Sequence, residues 1–377
     1  MRGGEACAKL RVEMSKRAIF SIVLAALAFS GGCADPAAAE DGGGAAAPPA
    51  SPADDAPKAA APSAPAPADP PKPAPPACTP LAPRAVPLEV AALPDAREVP
   101  FVSAIQSAKT SVRVMVYQMG FGPILDALKA KASAGVDVRV ILDVSQADVN
   151  QKYMDQLAAA GAKVIWSDPA FTYMHAKVIM ADDAVAVIST GNYSQSYLLK
   201  ERNYVATDRD PQDVAVLTKL FDADYARKSP SLDCTRLLVS PVNAKERLLA
   251  LIASAKTSLV VHSMQFADWD VRRAVVARKD AGVDVRVLLA SPSWIDANAS
   301  AATYLADHGV AARWLDAPSV HVKAIVVDGK AAYLGSENLS TTSLTKNREV
   351  GLVTDEAAPV TTISATFEKD WAIGHAF

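Results

Sequence analysis

The chain has 377 residues, half of them hydrophobic, and a formal net charge of −3. That length exceeds one small core and suggests two or three domain-sized units. The near-neutral balance excludes a generic polyanion-binding surface, so any anion site must come from local arrangement.

In chain order, the first feature is an export signal. Ser15-Lys16-Arg17 is a short basic segment, Ala18 to Phe29 is an almost unbroken apolar run, and Ser30-Gly31-Gly32-Cys33 follows. Basic, then apolar, then small is the order of a secretory signal peptide over residues 1–33, with Met14 an alternative start. The apolar run is too short to span a bilayer, which needs roughly 20 residues. Gly31-Gly32-Cys33 resembles the cleavage box of bacterial lipoproteins, although Ser30 stands where that box usually has Leu. The resemblance implies lipidation of Cys33 and a cell-envelope location, in the periplasm or on the outer membrane. Ordinary cleavage nearby would instead release a secreted protein. Residues 34–83 are mostly Ala, Pro, Gly and Asp, a composition that buries too little apolar surface to fold and suits a tether. The four cysteines, Cys7, Cys33, Cys78 and Cys234, fit no zinc spacing. In an oxidising compartment Cys78 and Cys234 are candidates for a disulfide.

The rest is a tandem duplication. Ser107-Ala-Lys-Thr-Ser111 recurs as Ser254-Ala-Lys-Thr-Ser258, and Ala134-Gly-Val-Asp-Val-Arg-Val140 recurs at Ala281 to Val287 with the same offset. His175, Lys177 and Asn192 recur as His321, Lys323 and Asn338 with an offset one residue shorter. A fixed period of this kind signals repeated structural units, here residues 84–232 and 233–377. In the first, strands are expected over 112–119, 136–142, 163–166, 176–180 and 184–189, with helices over 124–134 and 149–160 that stop at Gly135 and Gly161. In the second, strands are expected over 259–264, 283–289, 311–315, 324–327 and 331–334. Short runs apolar on both faces suit a sheet covered by helices on each side, so the class is α/β.

Chemistry concentrates in two copies of one pattern. The first reads His175-Ala-Lys177-Val-Ile-Met-Ala-Asp182 and then Ser189-Thr190-Gly191-Asn192. The second reads His321-Val-Lys323-Ala-Ile-Val-Val-Asp328 and then Gly335-Ser336-Glu337-Asn338. His and Lys two apart on a strand face one way, with Ala176 or Val322 turned into the core. Pairing the halves about a pseudo-two-fold axis brings imidazoles, ammonium groups, Asn amides and Ser/Thr hydroxyls around one point, a constellation that can hold a phosphate without a metal. His262, His308 and His375 lie outside the pattern and read as structural.

These residues resemble the signature of the phospholipase D superfamily, H-x-K-x4-D followed by G-S-x-N, with Asn347-Arg348-Glu349 as an N-x-E tail. The resemblance implies two phospholipase D-like halves with one active site between them, no cofactor, and a phosphodiesterase acting through a phosphohistidine. His175 is the expected nucleophile and His321 the expected acid. Lys177, Lys323, Asn192 and Asn338, with the hydroxyls of Thr190 and Ser336, are expected on the phosphate. Asp182 and Asp328 are counted with the catalytic set, in an orienting role. Glu349 supports the other half's histidine, and Tyr204 stands in its place in the first half. The implied substrate is a phospholipid, hydrolysed or transferred, next to a membrane reached through the lipid anchor. A metal-independent secreted nuclease is the alternative, disfavoured by the near-neutral charge of the body, and a non-catalytic phosphate- or lipid-binding protein is the other. One chain carries both motifs, so a monomer suffices for the site.

Overall fold

The computed structural model describes residues 79–232 and 234–377. The expected signal, most of the tether, Cys33 and Cys78 lie outside the described residues. Cys234 is disulfide-bonded, and its expected partner Cys78 is among those not described. The end of the expected tether is packed rather than loose. Ala82 is buried, and Arg236 donates to the carbonyls of Ala82 and Pro83, because a buried guanidinium must fill its donors from whatever backbone is at hand.

Each half builds one mixed sheet. The first runs Glu89–Leu93, Glu201–Asp208, Val185–Ser189, Lys177–Ala181, Ser111–Val116, Asp137–Leu142 and Lys163–Trp166 in spatial order. The second repeats that middle as Glu349–Thr354, Ala331–Gly335, Lys323–Val327, Ser258–Ser263, Asp284–Ala290 and Ala311–Leu315. In both, the three strands on one side of the His-Lys strand pair with one another in parallel, whereas the His-Lys strand pairs antiparallel to both neighbours. Among the described residues no helix is long and apolar enough to cross a membrane.

Side-chain alternation divides the interior into three cores. Val178 and Met180 face one cluster and Ile179 and Ala181 another, as the two-residue period of a strand requires. Ala324 and Val326 join the same central cluster as Val178, while Ile325 and Val327 belong to an outer one. The inner faces of both sheets therefore share a core, and each outer face has its own. The helices Pro211–Tyr225 and Ala357–Ile373 enter the shared core through Leu217, Phe221, Ile363 and Phe367.

Two reciprocal ion pairs sit where the halves meet. Arg348 pairs with Asp224 of the first half's last helix, Nε to Oδ2 2.8 Å and Nη2 to Oδ1 3.0 Å. Arg202 pairs with Asp370 of the second half's last helix, Nε to Oδ2 2.7 Å and Nη2 to Oδ1 3.0 Å. All four residues are largely buried, so removing one partner would leave an uncompensated buried charge.

Candidate active site

The same two arginines anchor the motif histidines by their backbone. The Arg348 carbonyl accepts from the His175 and Ala176 amides at 2.9 Å each, and the Arg202 carbonyl accepts from the His321 amide at 3.0 Å. Each His-Lys segment is thus bonded to the opposite half just before its strand begins. Ala176 and Val322 turn into the shared core, which leaves the flanking His and Lys on the other side. Both histidines and both Asn side chains then line one cleft of about 690 Å³, with Tyr117 and Tyr173 on its wall.

His175 is held by a fully occupied carboxylate. Glu349 lies 2.9 and 3.0 Å from His175 Nδ1 and also accepts from Ser336 Oγ at 2.6 Å, Ser343 Oγ at 2.6 Å and Asn347 Nδ2 at 3.0 Å. Burial alone would raise the Glu349 carboxyl, but His175, Lys177 and these donors hold it below its ordinary value. An ionised carboxylate only accepts, so Nδ1 of His175 carries the proton and Nε2 keeps its lone pair. Burial also draws His175 down to about 4, with Glu349 opposing and Lys177 reinforcing. The imidazole is neutral at pH 7, the form a nucleophile needs.

His321 has a weaker backing. Its Nδ1 is 3.1 Å from Asn203 Oδ1, and Asn203 Oδ1 accepts from Thr190 Oγ1 at 2.8 Å. Burial and the two lysines push His321 well below its ordinary value. The negative charge of a bound phosphodiester would move it back toward protonation.

Lys177 donates to the His175 carbonyl and lies over the Tyr117 ring at 5.5 Å. Lys323 donates to the carbonyls of His321 at 2.8 Å and Thr190 at 3.2 Å, the latter across the interface. Burial lowers Lys323 to about 7 and Lys177 well below its ordinary value. The charge each lysine offers an anion is present below its folded value and is lost as pH rises through it. Among the described residues no hydrogen-bond partner reaches the buried Oδ1 atoms of Asn192 and Asn338.

Three expectations are corrected. Tyr204 is not the counterpart of Glu349. The Thr190 amide donates to the Tyr204 carbonyl, as the Ser336 amide does to Val350, so Asn203 holds the place of Glu349. The Tyr204 ring lies in the shared core, its hydroxyl bonded to the Ile363 carbonyl. Thr190 and Ser336 do not offer their hydroxyls to the cleft. They donate to Asn203 and Glu349 and accept from the amides of Tyr204 and Val350. Asp182 and Asp328 lie at the far ends of the strands Lys177–Ala181 and Lys323–Val327, on the order of 17 Å of chain from the lysines, and take no part in the cleft. Asp182 and Asp183 have φ of 54° and 53°, and Asp328 and Gly329 have 54° and 62°, as a two-residue type I′ hairpin requires. Each carboxylate grips the repeated Ala-Lys-Thr-Ser loop, Asp182 through the amides of Lys109, Thr110 and Ser111 and Asp328 through those of Lys256, Thr257 and Ser258. Although burial would raise them, these amides hold Asp328 down to about 2 and Asp182 lower still.

Residues outside the motif complete the site. Tyr117 stands edge-on to His175 with centroids 4.8 Å apart, its hydroxyl accepting from Gln146 at 2.8 Å. Trp294 lies 6.0 Å from the His321 ring at 28° and is 41% exposed. Tyr117 follows the end of the strand Ser111–Val116. Asn203 is found by applying the offset of the second motif to Glu349. A separate hollow of about 500 Å³ against the helix Val99–Ser107 has no His or Lys in its wall.

The family model described as "Cardiolipin synthase, PLD-like domain" matches residues 101–225 and again 248–371. A cardiolipin synthase of Alkalihalophilus pseudofirmus is 26% identical over 292 residues, which are 66% of this chain and 58% of that protein. The chain thus spans less than two thirds of that relative's length. A polyphosphate kinase structure from Porphyromonas gingivalis matches with TM-score 0.59 and 16% identity, covering 76% of this chain and 47% of that one. A phosphatidylserine synthase structure from Haemophilus influenzae matches with TM-score 0.58 and 13% identity, covering 76% of this chain and 87% of that one. At these identities the two structures share the fold and no more.

The placement of the motif aspartates gives a direct test. Asp328→Asn is expected to cost about 1–3 kcal/mol of stability, from amides left with a poorer acceptor, and to keep kcat within a few-fold of the wild type. Urea unfolding beside steady-state rates checks this. A loss of activity in the folded variant comparable to that of His321→Ala contradicts it.

Proposed function

The chain belongs to the family whose model is described as the PLD-like domain of cardiolipin synthase, and on that footing we propose that it is a phospholipase D-type enzyme that transfers or hydrolyses the phosphatidyl group of phospholipids. The observation that carries this reading is the convergence of both motif histidines and both motif asparagines on one cleft, with an ionised Glu349 behind one histidine and neutral Asn203 behind the other.

The proposed reaction follows from that inequality. Nε2 of His175 attacks phosphorus, a P–N bond forms and the P–O bond to the leaving alcohol breaks. Protonated His321 gives its proton to the departing oxygen. Glu349 offsets the positive charge that develops on the His175 ring, while Lys177 and Lys323 offset the charge on the phosphate oxygens. In the second step neutral His321 takes a proton from water or from an acceptor alcohol. The oxygen attacks phosphorus, the P–N bond breaks and His175 is restored. Water gives hydrolysis and an alcohol gives transfer. Export and a Cys33 lipid anchor, supported by the order of segments before residue 34, would hold the cleft beside its substrate.

Purified protein assayed with EDTA on phosphatidylglycerol, cardiolipin, phosphatidylcholine and single-stranded DNA is expected to turn over phospholipid. The His175→Ala and His321→Ala variants are expected to lose at least about 10³-fold, as loss of a nucleophile or an acid does. Turnover of DNA alone replaces the lipid reading with the nuclease one, and equal inertness of wild type and variants on every diester sinks both. Palmitate labelling of the expressed protein tests the anchor. Label that survives Cys33→Ala contradicts it.

A further inference from the structure

The halves differ at one position inside the motif. Ser336 and Asn338 correspond to Thr190 and Asn192, so Glu337 corresponds to Gly191. Glu337 is fully buried. Its carboxyl accepts from Tyr333 OH at Oε2, 2.7 Å, and from its own backbone amide, and among the described residues no hydrogen-bond partner reaches Oε1.

The surrounding positions differ with it. Gly335 pairs across the ladder with Gly351, whereas their counterparts Ser189 and Val205 pair in the first half. A Cβ at Gly351 would come within 2.6 Å of Glu337 Oε2, and one at Gly335 would press on the same oxygen. Tyr333, the donor, stands where the first half has Val187. Four positions thus depart together from the first half's pattern, and together they house one carboxyl. A side chain that merely filled space would need neither two facing glycines nor a phenol donor.

Two buried carboxyls thus lie near enough for the charge of Glu349 to act on Glu337. Glu349 accepts from three side-chain donors besides the histidine, whereas Glu337 accepts from one. A proton shared between two such groups goes to the one with fewer donors. We propose that Glu337 is a positioning residue of the reaction centre, a proton-bearing carboxyl that leaves Glu349 as the one ionised acid behind His175 and so preserves the positive charge offered to a phosphodiester.

The direction of its titration agrees. Burial and the Glu349 charge push Glu337 up to about 8, with Tyr333 and Lys177 opposing, and its charge in turn reaches Lys323. Below that value Glu337 is neutral. Above it, a second negative charge joins that of Glu349 and opposes an incoming phosphate anion. The first half avoids this with Gly191, where a Cβ would meet the Asn203 amide at 2.6 Å.

The role of Glu337 in turnover rests on the phosphodiesterase reading, so the test begins with a measurement that does not. Infrared difference spectra of the full protein between neutral and alkaline pH are expected to show the C=O stretch of a protonated carboxyl, lost on raising the pH. The band is expected to vanish in Glu337→Gln and to shift in Tyr333→Phe, which removes its donor. The alkaline limb of kcat/KM on phosphatidylglycerol is expected to be displaced in Glu337→Gln by about one pH unit, about tenfold in rate on that limb, because the Glu337 charge acts both on the incoming anion and on Lys177 and Lys323. Absence of the band in an active wild type, or identical pH profiles for wild type and Glu337→Gln, overturns the proposal. A wild type inert on every diester but showing the band faults the functional reading alone. The affinity for inorganic phosphate then takes the place of turnover, with an alkaline fall-off displaced in Glu337→Gln supporting the proposal and superimposed profiles overturning it.

Discussion

The site depends on a crossed pair of anchors. Arg348 binds the first half twice, by its guanidinium to Asp224 and by its carbonyl to the amides of His175 and Ala176, and the next residue, Glu349, backs the His175 ring. Arg202 and Asn203 do the same for Asp370 and His321. Each histidine is therefore aimed by the half that does not contain it. Neither half alone can orient its own imidazole, and separating the halves would expose two buried ion pairs together with the shared core. Folding of the interface and assembly of the site are one event.

A duplication of this kind starts with two equal halves, and the structure shows where equality has been lost. The backbone scaffold is retained, down to the gripping aspartates and the buried Asn150 and Asn298 that pin matching loops. The differences gather around the histidines. Glu349 faces Asn203, Glu337 faces Gly191, and Tyr117 with Tyr173 lies on one side of the cleft while Trp294 lies on the other. A carboxylate behind His175 and an amide behind His321 give the two rings different charge states at one pH. Two-step chemistry needs that, because one ring must accept phosphorus while the other hands over a proton.

Much of this was legible in the sequence, for identifiable reasons. The strands at Lys177–Ala181 and Lys323–Val327 announce themselves because they are buried on both faces and unbroken by polar residues. The convergence of the histidines follows from the repeat and a two-residue period. The strands Glu201–Asp208 and Glu349–Thr354 and the helices Pro211–Tyr225 and Ala357–Ile373 were not read, because their burial is set by the other half. Arg202, Arg348, Asp224 and Asp370 look like surface residues until each meets its partner, 168 positions away for Arg202 and Asp370 and 124 for Arg348 and Asp224. Asp182 and Asp328 misled for the opposite reason. They belong to the motif by spacing, yet their carboxylates serve a hairpin and a loop at the far end of the strand. Asn203 was passed over by a one-residue slip in matching the tails, which the ladder register between Thr190 and Tyr204 removes.

The most direct measurement is to trap the covalent intermediate. Acid quenching of a single turnover with phosphorus-labelled phosphatidylglycerol, followed by mapping of the labelled peptide, should find the phosphoryl group on His175. It should be lost when Glu349→Gln, in the other half, removes the carboxylate behind that ring. Label on His321, or undiminished label on His175 in Glu349→Gln, would contradict a site in which each half arms the histidine of the other.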